Sequence, residues 1–191
     1  VTVYLCMVLP NSELAAPEYV AEHGIETLRT PLTLSHSRPE ENGGVREHQD
    51  IVIKTNTMPL ADWRRCYAFA WAIQAFHCMA LLQMIAIYFH KRFGLSYGRF
   101  YTTLLKLAGQ PEFAMLHREY GNVQGLLDRV LEGDPWDNVD SRFGEITWPA
   151  EETCVLELML HKDAFYDEVR GLVSAMATEF AIELEPSVAD D

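Results

Sequence analysis

Apolar residues run almost unbroken from Val1 to Leu9 and stop at Pro10-Asn11-Ser12. A short, β-branched, continuously apolar run predicts a strand buried on both faces, as in a parallel sheet or barrel. Pro17 and Gly24 bracket a short helix over 17–23, with proline in its first turn and glycine in the left-handed cap position. Ile25 to Leu34 and Asp50 to Thr55 return to extended character. Between them residues 35–49, with Pro39 and Gly43-Gly44, predict a mobile loop.

After residue 57 the rhythm changes. Thr57 is placed to cap a helix with Pro59 in its first turn and Asp62 near its positive end. No glycine or proline follows until Gly94, which predicts either one long helix or two joined near His77. Ser96 caps a further helix that ends at Gly109. Pro111 to Tyr120 and Val123 to Leu131 predict two shorter helices broken at Gly121. Residues 133–147 read as a loop, and Pro149 opens a helix with Glu151 and Glu152 at its N-terminus. Phe165, Val169, Leu172, Val173, Met176 and Phe180 follow helical spacing, with Asp167, Arg170 and Ser174 on the opposite face. The acidic end, from Glu185, reads as frayed. The expected fold is mainly α: a helical domain over 58–191, preceded by a small, incomplete α/β portion over 1–57. Strands so few leave sheet edges and faces uncovered.

Cys66 to Phe89 carries no charge, and within it Gln74, His77 and Gln83 are the clearly polar residues. The run is long enough to span a membrane. Its alanines, its central polar groups and the basic residues at both ends favour a buried helix of a bundle, so no membrane span is expected.

Composition narrows the partners. With 15 Lys+Arg against 28 Asp+Glu, the net charge is −13 over 191 residues, which disfavours phosphate backbones and anionic membranes. Nucleic acid is not an expected partner. Cys6, Cys66, Cys78 and Cys154 are scattered, and three of them lie in apolar runs. They read as reduced, buried cysteines of a cytoplasmic protein. No basic segment leads into a small-residue cleavage site, so no signal peptide is visible.

No phosphate loop, dinucleotide turn, zinc-protease helix, nucleophile elbow or zinc-spaced cysteine pair is present. The candidate substrate contacts are therefore individual polar residues. Asn11 and His36 follow predicted strands, Asn56 stands at a strand-to-helix junction, and strand ends of α/β folds carry ligand contacts. Each also has a plain turn or capping role open to it. His77 lies among apolar residues beside Cys78, either as a hydrogen-bonded core histidine or as a ligand or base. Glu40-Glu41 reads as a solvated pair, Glu151-Glu152 as a helix-dipole complement. Trp63, Trp71, Trp136 and Trp148 are expected to pack in the core or under loops.

Several stretches together are familiar: Val3 to Asn11 (VYLCMVLPN), His23 to Leu32 (HGIETLRTPL), Asp50 to Met58 (DIVIKTNTM), Asp62-Trp63, and Phe69 to His77. The chain resembles the C-terminal part of cobalamin-binding radical S-adenosylmethionine (SAM) proteins. The resemblance implies a parent with a cobalamin domain, then a partial α/β barrel holding an iron–sulfur cluster, then a helical C-terminal region. Residues 1–57 would be the last strands of that barrel, and 58–191 the helical extension. SAM, the cluster and cobalamin are implied for the parent. The partners implied are its upstream domains and a small-molecule substrate. The family's Cys-x-x-x-Cys-x-x-Cys and Asp-x-His-x-x-Gly motifs are absent, so this segment alone is expected to bind none of these cofactors, and no family catalytic residue transfers. The start at Val1 fits a fragment whose role is to close the barrel and shape the substrate pocket. The alternative is a free-standing helical binding protein.

Overall fold

A computed structural model describes residues 4–38, 47–136 and 138–184. Glu40-Glu41, Gly43-Gly44 and the acidic end lie outside them. The chain is mainly α. Among the described residues, three strands, β1 (Met7–Val8), β2 (Glu26–Pro31) and β3 (His48–Lys54), accompany seven α-helices: α1 (Pro17–His23), α2 (Leu60–Ala72), α3 (Gln83–Phe93), α4 (Tyr97–Ala108), α5 (Ala114–Leu131), α6 (Ala150–Leu160) and α7 (Lys162–Glu179). It divides into two compact units. One comprises residues 1–70 and 123–150, the other 71–122 and 151–191.

The first unit holds the sheet, in the order β1-β3-β2. Both pairings are antiparallel, with Met7 opposite Ile51 and Leu28 opposite Ile51 from the other side. The sheet is neither parallel nor closed into a barrel. β3, which has a strand on each side, is buried through Ile51 and Val52, and β2 is buried at Thr30. Over its described residues, 4–9, the N-terminal apolar run is not a strand buried on both faces: Met7–Val8 form a two-residue strand, and Tyr4 (84% exposed) and Leu9 (61%) face solvent. Ile51, Trp63 and Leu127 form the buried centre, with Tyr67 and Trp136 packed against it. The Tyr67 and Trp136 rings stack at 5.3 Å. Arg64 of α2 holds Asp128 of α5 at 2.6 Å.

In the second unit the long apolar run breaks. A π-helical turn over Ile73–Cys78 continues from α2, and the chain bends by 92° before α3. Ala80, at φ 69°, turns the corner. Among the described residues no single helix is long and apolar enough to cross a membrane, though the bent pair passes by length and composition. Nor is the run buried all round. Trp71, Ala72, Ala75 and Phe76 are buried, whereas Cys66, Cys78 and Met84 are exposed. Of the four cysteines only Cys154 is buried, and none is in a disulfide. Cys66 and Cys78 sit at exposed helical positions, and Cys6 lies just ahead of the edge strand β1.

Ser96 caps α4 as expected, its Oγ accepting the Arg99 N–H. Gly121 does not break the chain: α5 runs through it as one helix. An interior glycine costs a helix only about 1 kcal/mol, which burial of Leu116, Val123, Leu126 and Leu127 outweighs. Glu168 of α7 caps the start of α5, accepting the Met115 N–H at 2.8 Å and the Leu116 N–H at 3.0 Å. The apolar stripe of α7 is buried at Phe165, Val169, Leu172 and Met176, as its spacing predicts.

Candidate functional site

Asn11, His36 and Asn56 all fall in the first unit, each at a turn. Asn11 is exposed at φ 64°, in the left-handed conformation asparagine tolerates. His36, at φ 61°, is tied to the segment before α6. Its N–H donates to the Thr147 carbonyl at 2.6 Å, Thr147 N–H donates to the Ser37 carbonyl at 2.8 Å, and the imidazole meets Trp148 edge-on at 5.3 Å. Asn56 braces the end of α1: its Nδ2 donates to the Glu22 carbonyl and its backbone N–H to the His23 carbonyl, each at 2.9 Å. Its amide lies so close to Gly24 that a Cβ there would stand 2.1 Å from Asn56 Oδ1. His36 and Asn56 are thus held by different segments, the one before α6 and the end of α1.

His77 belongs to the second unit, in the π-helical turn, a local irregularity frequent at functional sites. The turn is closed by the Met79 N–H on the Gln74 carbonyl at 3.0 Å, a five-residue step. His77 Nδ1 is 2.9 Å from the hydroxyl of Tyr101, which is fully buried. Tyr97 and Tyr101, one turn apart on α4, both present edges to the imidazole, at 5.3 and 5.7 Å. Beyond Tyr97 lies His90, stacked on it at 4.7 Å, with Nδ1 2.9 Å from the Leu95 carbonyl. Burial foremost, then Cys78 and Tyr97, push the Tyr101 phenol well above its ordinary range. It is a neutral O–H at any physiological pH. The sequence singles out His77 but not this aromatic shell. The four-residue spacing of Tyr97 and Tyr101 was the available signal.

A second polar cluster in this unit escapes sequence reasoning. Glu119, on α5, is buried beside Arg118, which reaches it at 2.9 Å and Glu157 of α6 at 3.1 Å. Burial chiefly raises the Glu119 carboxyl above its usual range, against the opposing pull of Arg118 and Asn122. Cys154, between these helices' carboxylates, is pushed far up by burial. Glu157 inside Val-Leu-Glu-Leu-Met-Leu was the legible hint.

A radical-enzyme cluster needs three convergent thiolates. Among the described residues no three His, Cys, Asp or Glu side chains converge on a metal position. Cys6 and Cys66 lie in one unit, Cys78 and Cys154 in the other, and Cys154 is held as a thiol.

Two curated proteins match nearly the whole chain. The 2-(S-pantetheinyl)-carbapenam-3-carboxylate methyltransferase of Streptantibioticus cattleyicolor is 25% identical over 192 aligned positions that cover 94% of this chain. The cobalamin-dependent radical SAM methyltransferase TokK of Streptomyces tokunonensis is 30% identical over 190 aligned positions that cover 93% of this chain. The chain resembles their C-terminal part. It spans 28% of the length of each of these methyltransferases. No protein-family model matches it.

Proposed function

We propose that this chain works as the C-terminal segment of a cobalamin-dependent radical SAM methyltransferase, where it closes the barrel and shapes the substrate pocket. The observation that carries the proposal is the match over 94% and 93% of the chain to 28% of two such relatives. Residues 1–57 would seal the barrel and 58–191 would supply the helical extension. The exposed Tyr4, Leu9 and Leu34, with 84%, 61% and 63% of their surface open, and the two-residue edge strand support a sheet built to be covered. Cobalamin, SAM and the cluster would be held upstream. The substrate is a small molecule, and the pantetheinyl carbapenam acid named for one relative is the first to try. Asn11, His36, Asn56 and His77 stand as its proposed contacts, His77 foremost because its ring is positioned by buried neighbours.

The test is the open reading frame that carries this sequence. It should encode a Cys-x-x-x-Cys-x-x-Cys motif ahead of Val1, and the encoded enzyme, reconstituted anaerobically with iron, sulfide, cobalamin and SAM, should methylate the substrate. Deleting residues 1–191 should abolish methyl transfer while leaving the cluster loaded. A frame without the motif would sink the proposal.

A further inference from the structure

Charge is unevenly spread along this chain. Against a net charge of −13, residues 63–111 hold six Lys and Arg and no Asp or Glu. Three of the six meet acids from outside that stretch: Arg64 meets Asp128, Arg65 meets Asp62, and Lys106 meets Glu179. The other three, Lys91, Arg92 and Arg99, are exposed at the corner where α3 gives way to α4. The corner is tight: Gly94 caps α3, Ser96 caps α4, and His90 stacks on Tyr97 at 4.7 Å. Among the described residues Lys91 and Arg99 form no ion pair. Both arginines lie over rings, Arg92 over Phe93 at 5.8 Å and Arg99 over Phe180 at 5.1 Å. A ring steadies a guanidinium without neutralising it. Lys91 and Arg92 complement the negative end of α3, which is reason enough for them to be there. Arg99 has no such reason. It lies in the first turn of α4, which carries no acid, and there the helix dipole disfavours a cation. A residue that breaks a local rule without a structural return marks a functional position.

We infer that the α3–α4 corner is a docking surface for an acidic segment of a protein partner, whose carboxylates meet Lys91, Arg92 and Arg99. A guanidinium takes a carboxylate through two parallel N–H···O bonds. The rings under Arg92 and Arg99 already restrict the side-chain freedom that such bonds would remove. The Debye length is about 8 Å at physiological salt, so the corner acts on a contacting segment largely apart from the negative total. A long phosphate polyanion or an anionic membrane reaches further and meets that total as repulsion. The inference does not depend on the methyltransferase reading.

The probe is a fluorescein-labelled hexaglutamate peptide, titrated into the full chain and followed by anisotropy. Binding should saturate and should weaken as salt is raised. Arg99→Gln should weaken it about two- to fivefold, the worth of one exposed ion pair. The same variant should leave Tm unchanged or higher, because it takes a cation away from the positive end of α4. Arg99→Lys keeps the charge and should keep most of the binding. Adding Lys91→Gln and Arg92→Gln to R99Q should abolish it. No saturable binding, or an R99Q chain that binds the peptide as tightly as the parent, overturns the surface. A lower Tm in R99Q makes Arg99 a structural residue and overturns the argument from its placement. Tighter binding of a labelled DNA duplex or of phosphatidylglycerol vesicles than of the peptide overturns the assigned partner. So does a salt-sensitive dimer lost in R99Q, which would put a second copy of the chain on the corner. None of these readouts requires SAM, cobalamin or the cluster, so they stand apart from any test of methyl transfer.

Discussion

Gly24→Ala decides whether Asn56 is a brace or a free contact for substrate. Gly24 sits at φ 57°, ψ 42°, a conformation that costs an L side chain about 1–2 kcal/mol. The added Cβ would stand 2.1 Å from Asn56 Oδ1, so the amide must swing away and give up its 2.9 Å bond to the Glu22 carbonyl. That bond is worth about 1 kcal/mol net. G24A should therefore cost about 2–3 kcal/mol, a fall in Tm of roughly 5–10 °C for a chain of this size. Asn56→Ala alone should cost about 1 kcal/mol. In the double variant the clash is gone and the bond already lost, so its stability should match G24A alone, about 1 kcal/mol short of additivity. Urea unfolding followed by tryptophan fluorescence reads all four corners of the cycle. Strict additivity, or N56A with unchanged stability and weakened substrate binding, would refute the brace and return Asn56 to the pocket.

Ala80→Gly should stabilise the chain by about 0.5–1 kcal/mol, because the corner before α3 holds alanine at φ 69°; a lower urea midpoint would show that the bend is not strained. A thiol reagent should label Cys6, Cys66 and Cys78 quickly and Cys154 only on unfolding, since burial both hides that sulfur and keeps it protonated; four equal rates would contradict the packing of α6. Glu119, its carboxyl raised by burial, holds its proton more firmly folded than unfolded. Its contribution is complete below the unfolded carboxylate range and fades as pH rises through the raised folded value. Glu119→Gln should therefore gain stability relative to the parent chain as pH rises through that window, and parallel stability–pH curves would refute the assignment.

Much of the helical body is legible because burial and spacing agree. On α7 one apolar stripe meets one core, and Ser96 and Gly24 act through local backbone chemistry that needs no distant partner. The failures have a shared cause. The Val1–Leu9 run is apolar at almost every position, which normally implies cover on both faces, but the described structure gives Tyr4 and Leu9 no layer to meet. The same gap exposes Cys6. Gly121 fails in the other direction, since a local penalty of about 1 kcal/mol cannot end a helix whose neighbours are buried. Both errors come from reading a tertiary decision out of local pattern.

The π-helical turn sharpens that lesson at the candidate site. On α-helical spacing, Gln74 is the polar residue that shares a face with His77, and a search for partners would start there. The structure widens the turn, so that the Gln74 carbonyl takes the Met79 N–H five residues on. The partner of His77 is instead Tyr101, from a helix that starts beyond the bend. An irregular turn of this kind has no hydrophobic period of its own, so nothing in the sequence announces it. What the sequence does hold is Tyr97 and Tyr101 on one face of α4, with burial graded along it: Tyr101 inside, Tyr97 half out. A buried phenol must spend its hydrogen, and the nearest acceptor is an imidazole in the widened turn. The chemistry of the candidate site therefore depends on the bend that the apolar run conceals, which is why His77 could be singled out from sequence while its partner Tyr101 could not.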